Sequence, residues 1–418
     1  MPVLYGGKPI ASGGYGCIFY PALSCNNEKG KKGYVSKLML KDKANEEYYI
    51  SKMIYDELKN IKQFKKYYLM DNQEPCIPTI ISKKDLVNFN EECNNLLKYD
   101  INKSNINSNL DKLSIINMPY EGKDYNKWIR KNYKKINMKQ MIRFHNEIIH
   151  FIKKAIIPMN NNTIYHMDIK DSNLMYKNNR FKIIDWGLAA KMAKSSNKIP
   201  TIITSRPLQF NLPYSVLLLN KSFDAFLLKY VERIQNKTID NINFYNMGRD
   251  YYNYFISKNS DGHIKFLTYI YDIIHPGANK DLAQKKVLNI IVIYITNVLR
   301  EYIKIKNDKI MFDKMNFVIN IYLHNADIFG LLTVLYNYFE LNVFSNIKNK
   351  RIRYNYKNAM INIVDEYLFS PKFAIKKIHL DELENKFKKI NSILSTKEKK
   401  THRTHSKTSK HKKTVRSH

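Results

Sequence analysis

The chain contains His166-Met167-Asp168-Ile169-Lys170-Asp171-Ser172-Asn173, followed by Phe181-Lys182-Ile183-Ile184-Asp185-Trp186-Gly187. No other feature constrains it as tightly. Moving a phosphoryl group to a hydroxyl needs a carboxylate to orient the hydroxyl and accept its proton. It also needs a cation on the transferring phosphate and oxygen ligands for Mg²⁺. Asp168 can supply the carboxylate, Lys170 the cation, and Asn173 with Asp185 the metal ligands, all within one short stretch.

This order and spacing resemble the catalytic loop and metal-binding loop of eukaryotic-type protein kinases. The resemblance implies an α+β, bilobal fold, with a small β-rich lobe carrying one main helix and a larger, mainly helical lobe. It also implies ATP as donor, Mg²⁺ or Mn²⁺ as metal, and a protein hydroxyl as acceptor. Upstream, Ile10-Ala11-Ser12-Gly13-Gly14-Tyr15-Gly16-Cys17-Ile18 resembles the kinase Gly-rich loop, whose backbone N–H groups approach the phosphates under the cap of Tyr15. Ala11 stands where the first glycine is usual.

Lys37, 21 residues after Gly16, resembles the lysine that holds the α- and β-phosphates. Strand alternation selects it over Lys31, Lys32 and Lys41, since Val35 and Lys37 share one face and Leu38 and Leu40 the other. The following helix offers Glu46 and Glu47 as its partner. Glu47 flanks the apolar stripe of Ile50 and Ile54, whereas Glu46 aligns with Tyr49 and Met53, so Glu47 is the expected partner. Asn117 to Asp124 resembles the hinge, with Met118 beside adenine and Asp124 at the ribose.

The chain departs from the common kinase pattern at several points. Met167 replaces the arginine that usually precedes the catalytic Asp, which removes the usual partner of an activation-loop phosphate. Trp186 replaces the usual Phe. Ser205-Arg206-Pro207-Leu208-Gln209-Phe210-Asn211-Leu212-Pro213-Tyr214-Ser215 stands where Ala-Pro-Glu is expected, with Arg206 as a candidate anchor. Two aspartates could begin the central large-lobe helix: Asp224 fits by spacing, Asp327 by pattern. Asp327 is preferred because a long apolar run follows it. That choice makes residues 217 to about 322 a helical insertion, and with it, the Arg206–Pro213 segment and the Lys/Asn/Ile-heavy composition, the chain resembles the divergent Ser/Thr kinases encoded by large cytoplasmic DNA viruses.

At 418 residues the chain exceeds the roughly 250–300 that one core usually supports. The expected division is a small lobe over 1–118 and the hinge, catalytic loop and activation segment over 119–216. A helical insertion is expected over 217–322, further large-lobe helices over 323–392, and a basic disordered tail over 393–418. Ala44 to Ile61 and Met138 to Ile156 have helical periodicity, the second ended by Pro158 and the Asn160 to Asn162 run, and Leu113 to Met118 reads as a strand. The Asn- and Lys-rich stretch Asn88 to Asn109 reads as a surface loop.

Seventy Lys and Arg against 37 Asp and Glu give a net charge of +33, which favours acidic protein substrates. The tail from Thr396 could contact nucleic acid, yet it lacks aromatic residues to stack bases, so nucleic-acid binding is not expected as the main function. Cys17, Cys25, Cys76 and Cys93 lack CxxC spacing, so neither a zinc site nor a disulfide framework is expected, and a reducing compartment follows by default. No signal peptide is read at the start, and Val287 to Leu299 is too short for a membrane span. The resulting expectation is an intracellular enzyme of the host cytoplasm, compatible with packaging in a virion. The competing expectation is a pseudokinase-like scaffold that works by binding through the insertion and the tail.

Overall fold

The structure, a computed structural model, describes residues 7–12, 16–26, 28–234, 238–277, 280–306 and 309–396. Strands β1 (Lys8–Ser12), β2 (Gly16–Tyr20), β3 (Tyr34–Leu40) and β4 (Leu113–Pro119) form one antiparallel sheet in chain order. In β3, Lys37 pairs with Ile18 of β2 and Ile116 of β4, which places the lysine at the centre of the sheet. Helix α1 (Lys41–Leu58) follows directly and packs on β3 and β4, burying Ala44, Tyr48, Ile54 and Leu58. Because side chains alternate along a strand, Lys37 lies on the face opposite Leu38.

The face bearing Leu38 is covered by the stretch expected to be a surface loop. Phe89, Cys93, Leu96, Ile101 and Ile106 are buried there with Phe19, Leu38 and Ile115, and short helices form at Phe89–Glu92 and Asn94–Leu97. The surface-loop reading of Asn88 to Asn109 is therefore corrected. Its apolar residues are few, and although Leu97 and Tyr99 stay exposed, the buried Phe89, Leu96, Ile101 and Ile106 are each worth about 1.5–3 kcal/mol. The asparagines satisfy the turns between them: Asn105 bonds the Asp100 carbonyl, and Asn107 bonds both the amide and the carbonyl of Ile81.

The cysteines also overturn their expectation. Cys17 is joined to Cys93 and Cys25 to Cys76, with Cα–Cα distances of 5.0 and 5.9 Å, within the range a disulfide requires. Sequence separations of 76 and 51 hide such pairs from any local spacing rule. The expectation of a reducing compartment loses its basis with them.

A short helix, α2 (Phe64–Tyr67), leads from α1 toward the larger lobe. There the helix Met138–Phe151 begins with a capping box between Asn137 and Gln140. It passes Pro158 and ends at Asn161, within the Asn160 to Asn162 run expected to help stop it. A π turn over Ile152–Ile156 and a further helical turn over Ile157–Asn161 carry it past the proline. A proline inside a regular helix loses a hydrogen bond and clashes with the preceding turn, and the π turn falls where that conflict would arise.

Two antiparallel strand pairs build the catalytic region: β5 (Ile164–Tyr165) with β8 (Ala190–Lys191), and the hairpin of β6 (Leu174–Lys177) with β7 (Arg180–Ile183). Between residues 221 and 302 lie the helices Lys221–Glu232, Phe244–Lys258, Gly262–Ile274 and Lys280–Tyr302. The expected helical insertion also contains a hairpin, β9 (Ile303–Lys306) with β10 (Lys309–Phe312). Residue 322 is not a boundary, because the helical path starting at Lys314 runs unbroken through a π turn into Leu323–Thr333.

The helix Leu380–Ser395 buries Leu383, Phe387, Ile390 and Leu394 and packs on Met138–Phe151, so residues 393–395 belong to a helix rather than to the tail. Residues 397–418, most of the expected tail, lie outside the described residues. Lys280–Tyr302 and Lys314–Glu340 are long and apolar enough to cross a membrane, with 50% and 83% of their apolar windows buried within the protein.

Candidate functional site

Lys37 Nζ reaches both carboxylate oxygens of Glu47 at 2.6 Å, and Asp185 lies 4.0 Å from the same nitrogen. Glu46 points elsewhere, onto exposed Lys43. Burial pushes the Glu47 carboxyl up from its ordinary value, against the pull of Lys37. Asp185 adopts a left-handed backbone at φ +63° and keeps its side chain half exposed at the end of β7.

Asp168 is buried and held by several donors. Lys170 Nζ and Asn173 Nδ2 each donate to its Oδ2 at 2.9 Å, and Asn211 Nδ2 donates to its Oδ1 at 2.9 Å. Arg206 Nη2 stands 3.8 Å from Oδ1 and donates to the Met167 carbonyl at 2.9 Å. Met167 has a φ of +60°, so the loop backbone must be held in an unfavourable region from outside. Asp327 holds it from the other side, accepting the backbone N–H of His166 at 3.0 Å and of Met167 at 2.8 Å. Burial raises the Asp327 carboxyl to about 6, although both backbone bonds oppose this. Asp224, the alternative, lies on an exposed helix and pairs with Lys314.

His166 is fully buried, and burial lowers its pKa. The Asp168 backbone N–H donates to its Nδ1 at 3.3 Å, while Nε2 lies 3.1 Å from the Ile184 carbonyl. These contacts fit a neutral imidazole protonated at Nε2, tying the loop before Asp168 to the strand before Asp185. Trp186 packs edge-on against His166 with ring centres 4.9 Å apart.

Several neighbours had no expected role. Asn211 contacts Asp168 directly, and its only signal was its place in the unusual Arg206–Pro213 segment. A Cβ at Gly330 would lie 2.5 Å from the Ile169 carbonyl, so this glycine lets the helix carrying Asp327 approach the loop. Asp171 accepts hydrogen bonds from Asn126, Tyr336 and Asn337 at 2.6, 2.7 and 3.2 Å, which fixes the far end of the loop. From the helix Gly262–Ile274, His263 stacks on Phe210 at 6.0 Å and Phe266 packs edge-on at 4.7 Å, bringing the expected insertion against the segment that holds Asp168.

The remaining expected residues are less concentrated. Ile10, Ala11 and Ser12 lie on β1, where Ser12 Oγ donates to Asn94 at 3.0 Å. Gly13, Gly14 and Tyr15 lie outside the described residues. A Cβ at Gly16 would lie 2.1 Å from the Leu38 carbonyl, so packing against β3 alone requires glycine there. Ile18 faces Lys37 across the sheet, and Met118 pairs with Val35. Asp124 caps the helix Tyr125–Asn132, its Oδ1 accepting the Lys127 N–H at 2.8 Å.

The donor set suits a nucleotide with a hard divalent cation. The Asp185 carboxylate and the Asn173 carbonyl oxygen are the ligand type that Mg²⁺ and Mn²⁺ prefer, and a held ammonium stands beside them for phosphate oxygens. Residues 6–207 match the family model of the protein kinase domain. No curated protein matches the chain.

Proposed function

We propose, starting from the protein kinase domain that residues 6–207 carry, that the chain transfers the γ-phosphoryl group of ATP to serine or threonine hydroxyls of proteins. The observation that carries this reading is the setting of Asp168, a buried carboxylate held by Lys170, Asn173 and Asn211 at 2.9 Å each. A purely structural aspartate would not need an ammonium and an amide on one oxygen beside a second carboxylate and a paired lysine.

Bound ATP with Mg²⁺ or Mn²⁺ supplies the activated phosphoryl group. Lys37, oriented by Glu47, holds phosphate oxygens, while Asp185 and Asn173 offer the metal its oxygens. Asp168 orients the acceptor hydroxyl and accepts its proton as the oxygen bonds to phosphorus and the bond to the leaving ADP oxygen breaks. Lys170 lies close enough to offset negative charge on the transferring group. Its place two residues after Asp168 supports Ser/Thr rather than Tyr acceptors, and the net charge of +33 supports acidic substrates. The Arg206–Pro213 segment and the composition support a place among kinases of large cytoplasmic DNA viruses.

Incubation with γ-labelled ATP, Mg²⁺ and an acidic or a basic protein, followed by phosphoamino-acid analysis, tests the reading. Label on serine or threonine is expected. Label on tyrosine alone would overturn the acceptor class, and no transfer from folded protein that binds nucleotide would overturn the catalytic reading.

A further inference from the structure

We propose that a basic cavity, separate from the catalytic constellation, binds a phosphoryl group carried on a polypeptide. The cavity has a volume of about 470 Å³ and shares no residue with the set around Asp168. Gln63, Lys66 and Tyr67 line it at α2, Glu121 just after β4, and His150 on the helix Met138–Phe151. Lys177, Asn178, Arg180 and Lys182 close it from the β6–β7 hairpin. Segments that follow the small-lobe helix therefore meet a large-lobe hairpin around one concavity.

Its charge is unbalanced. Four cations line it against a single carboxylate, Glu121, which Lys182 already engages. Arg180 is anchored by the buried carboxylate of Glu147, which also accepts the Phe181 N–H at 3.0 Å and so fixes the hairpin. Lys66 and Lys177 are exposed and have no counter-ion among the described residues.

The imidazole of His150 registers the same excess. It lies 3.0 Å from the Tyr67 hydroxyl, and its pKa is lowered first by burial and then by the charges of Arg180, Lys154 and Lys66. Arg180 and Lys182 are thus matched by Glu147 and Glu121, and the unmatched positive charge on the cavity wall is that of Lys66 and Lys177.

A guanidinium held in place beside mobile ammonium groups is the donor set that recognises phosphate oxygens. The cations gather in one concavity, which suits a single dianionic group better than the extended backbone of a nucleic acid, whose charges need a track. A phosphorylated serine or threonine is the form in which this chain's own reaction would deliver that group. The choice of a peptide-borne phosphate rests on the function proposed above; the existence of an anion site does not. An occupied cavity would keep a phosphorylated substrate or partner on the enzyme after transfer.

The test is fluorescence anisotropy of a labelled phosphoserine peptide with the full chain, without nucleotide and over a range of salt. An unphosphorylated peptide, pyrophosphate and a short single-stranded RNA serve as competitors. Lys66→Ala/Lys177→Ala removes two exposed side chains and should leave the melting temperature and nucleotide affinity unchanged. The proposal predicts binding at least about tenfold tighter for the phosphopeptide than for its unphosphorylated form, and a loss of about tenfold or more in the double variant. Equal binding by the variant would overturn the site, and preferential binding of pyrophosphate or RNA would overturn the polypeptide occupant. Because no phosphoryl transfer is read, an inactive chain that still binds would contradict only the proposed catalysis, and an active chain that does not bind would contradict only this site.

Discussion

Arg206 and Met167 are joined by a hydrogen bond of 2.9 Å from guanidinium Nη2 to the Met167 carbonyl. The position before Asp168 has thus lost its expected arginine, but a buried arginine from the following segment holds the same stretch of backbone. Arg206 is only 4% exposed, and burial lowers its pKa while nearby Asp168 opposes that shift. The loop backbone is therefore held at Met167 by Arg206 on its carbonyl and by Asp327 on its N–H.

Arg206→Ala removes the charged donor to Met167 and should lower kcat by about 10–100-fold, the equivalent of roughly 1.5–3 kcal/mol for a hydrogen bond to a charged group. The KM for ATP should stay within about twofold, because Arg206 is not among the nucleotide residues. Arg206→Lys should recover only part of the loss, since the bond to Met167 is made by Nη2 at the tip of a side chain one atom longer than that of lysine. Steady-state kinetics at matched folding decide it, and an unchanged kcat would contradict the positioning role.

Asp327 gives the loop a pH dependence. Its folded-state value of about 6 lies above the ordinary 3.8, so the folded chain binds more protons than the unfolded chain between those values. Stability from this group is therefore greatest at low pH and falls as pH rises from about 4 to about 6, by roughly 3 kcal/mol. Asp327→Asn should flatten that part of the profile, and its melting temperature should rise relative to wild type across the same window. Parallel profiles measured by thermal unfolding would contradict the assignment.

Lys37→Met should leave the Glu47 carboxylate buried without its ammonium. Breaking one side of a buried pair costs about 3–5 kcal/mol, so a lower melting temperature should accompany at least about tenfold weaker nucleotide binding. Glu47→Gln keeps the shape and should have a milder effect on stability than on nucleotide binding. Calorimetric titration with ATP and Mg²⁺ measures both variants, and wild-type affinity in Lys37→Met would remove Lys37 from the site.

The paired cysteines make the small lobe sensitive to reductant. Thiol titration of the folded, unreduced chain should find no reactive thiol, and reduction should expose four. Cys17→Ser with Cys93→Ser should destabilise the small lobe by about 2–4 kcal/mol. Four free thiols in folded, unreduced protein would contradict the pairing.

The sequence displayed whatever depends on close spacing. Asp168, Lys170 and Asn173 sit within six residues, and strand alternation with helical spacing was enough to select Lys37 and Glu47, which the structure brings to 2.6 Å. Contacts across the chain were less visible. Asn211 reaches Asp168 from 43 positions away, and no periodicity marks it. Asp327 reaches His166 across 161 positions, and only the family pattern of an Asp before a long apolar run suggested it. The stretch Asn88 to Asn109 misled because average composition says little about a segment in which most of the few apolar residues are buried. Pro158 misled because a π turn absorbs it.

Turnover of Asp168→Asn tests the central claim most directly. The substitution keeps the shape and the hydrogen-bonding size of the side chain but removes its ability to accept a proton. The measurement is phosphoryl transfer from labelled ATP under saturating Mg²⁺, with nucleotide affinity and melting temperature determined on the same samples. The account predicts turnover lower by about 10²–10⁴ with nucleotide affinity unchanged. Equal turnover in wild type and Asp168→Asn would contradict it.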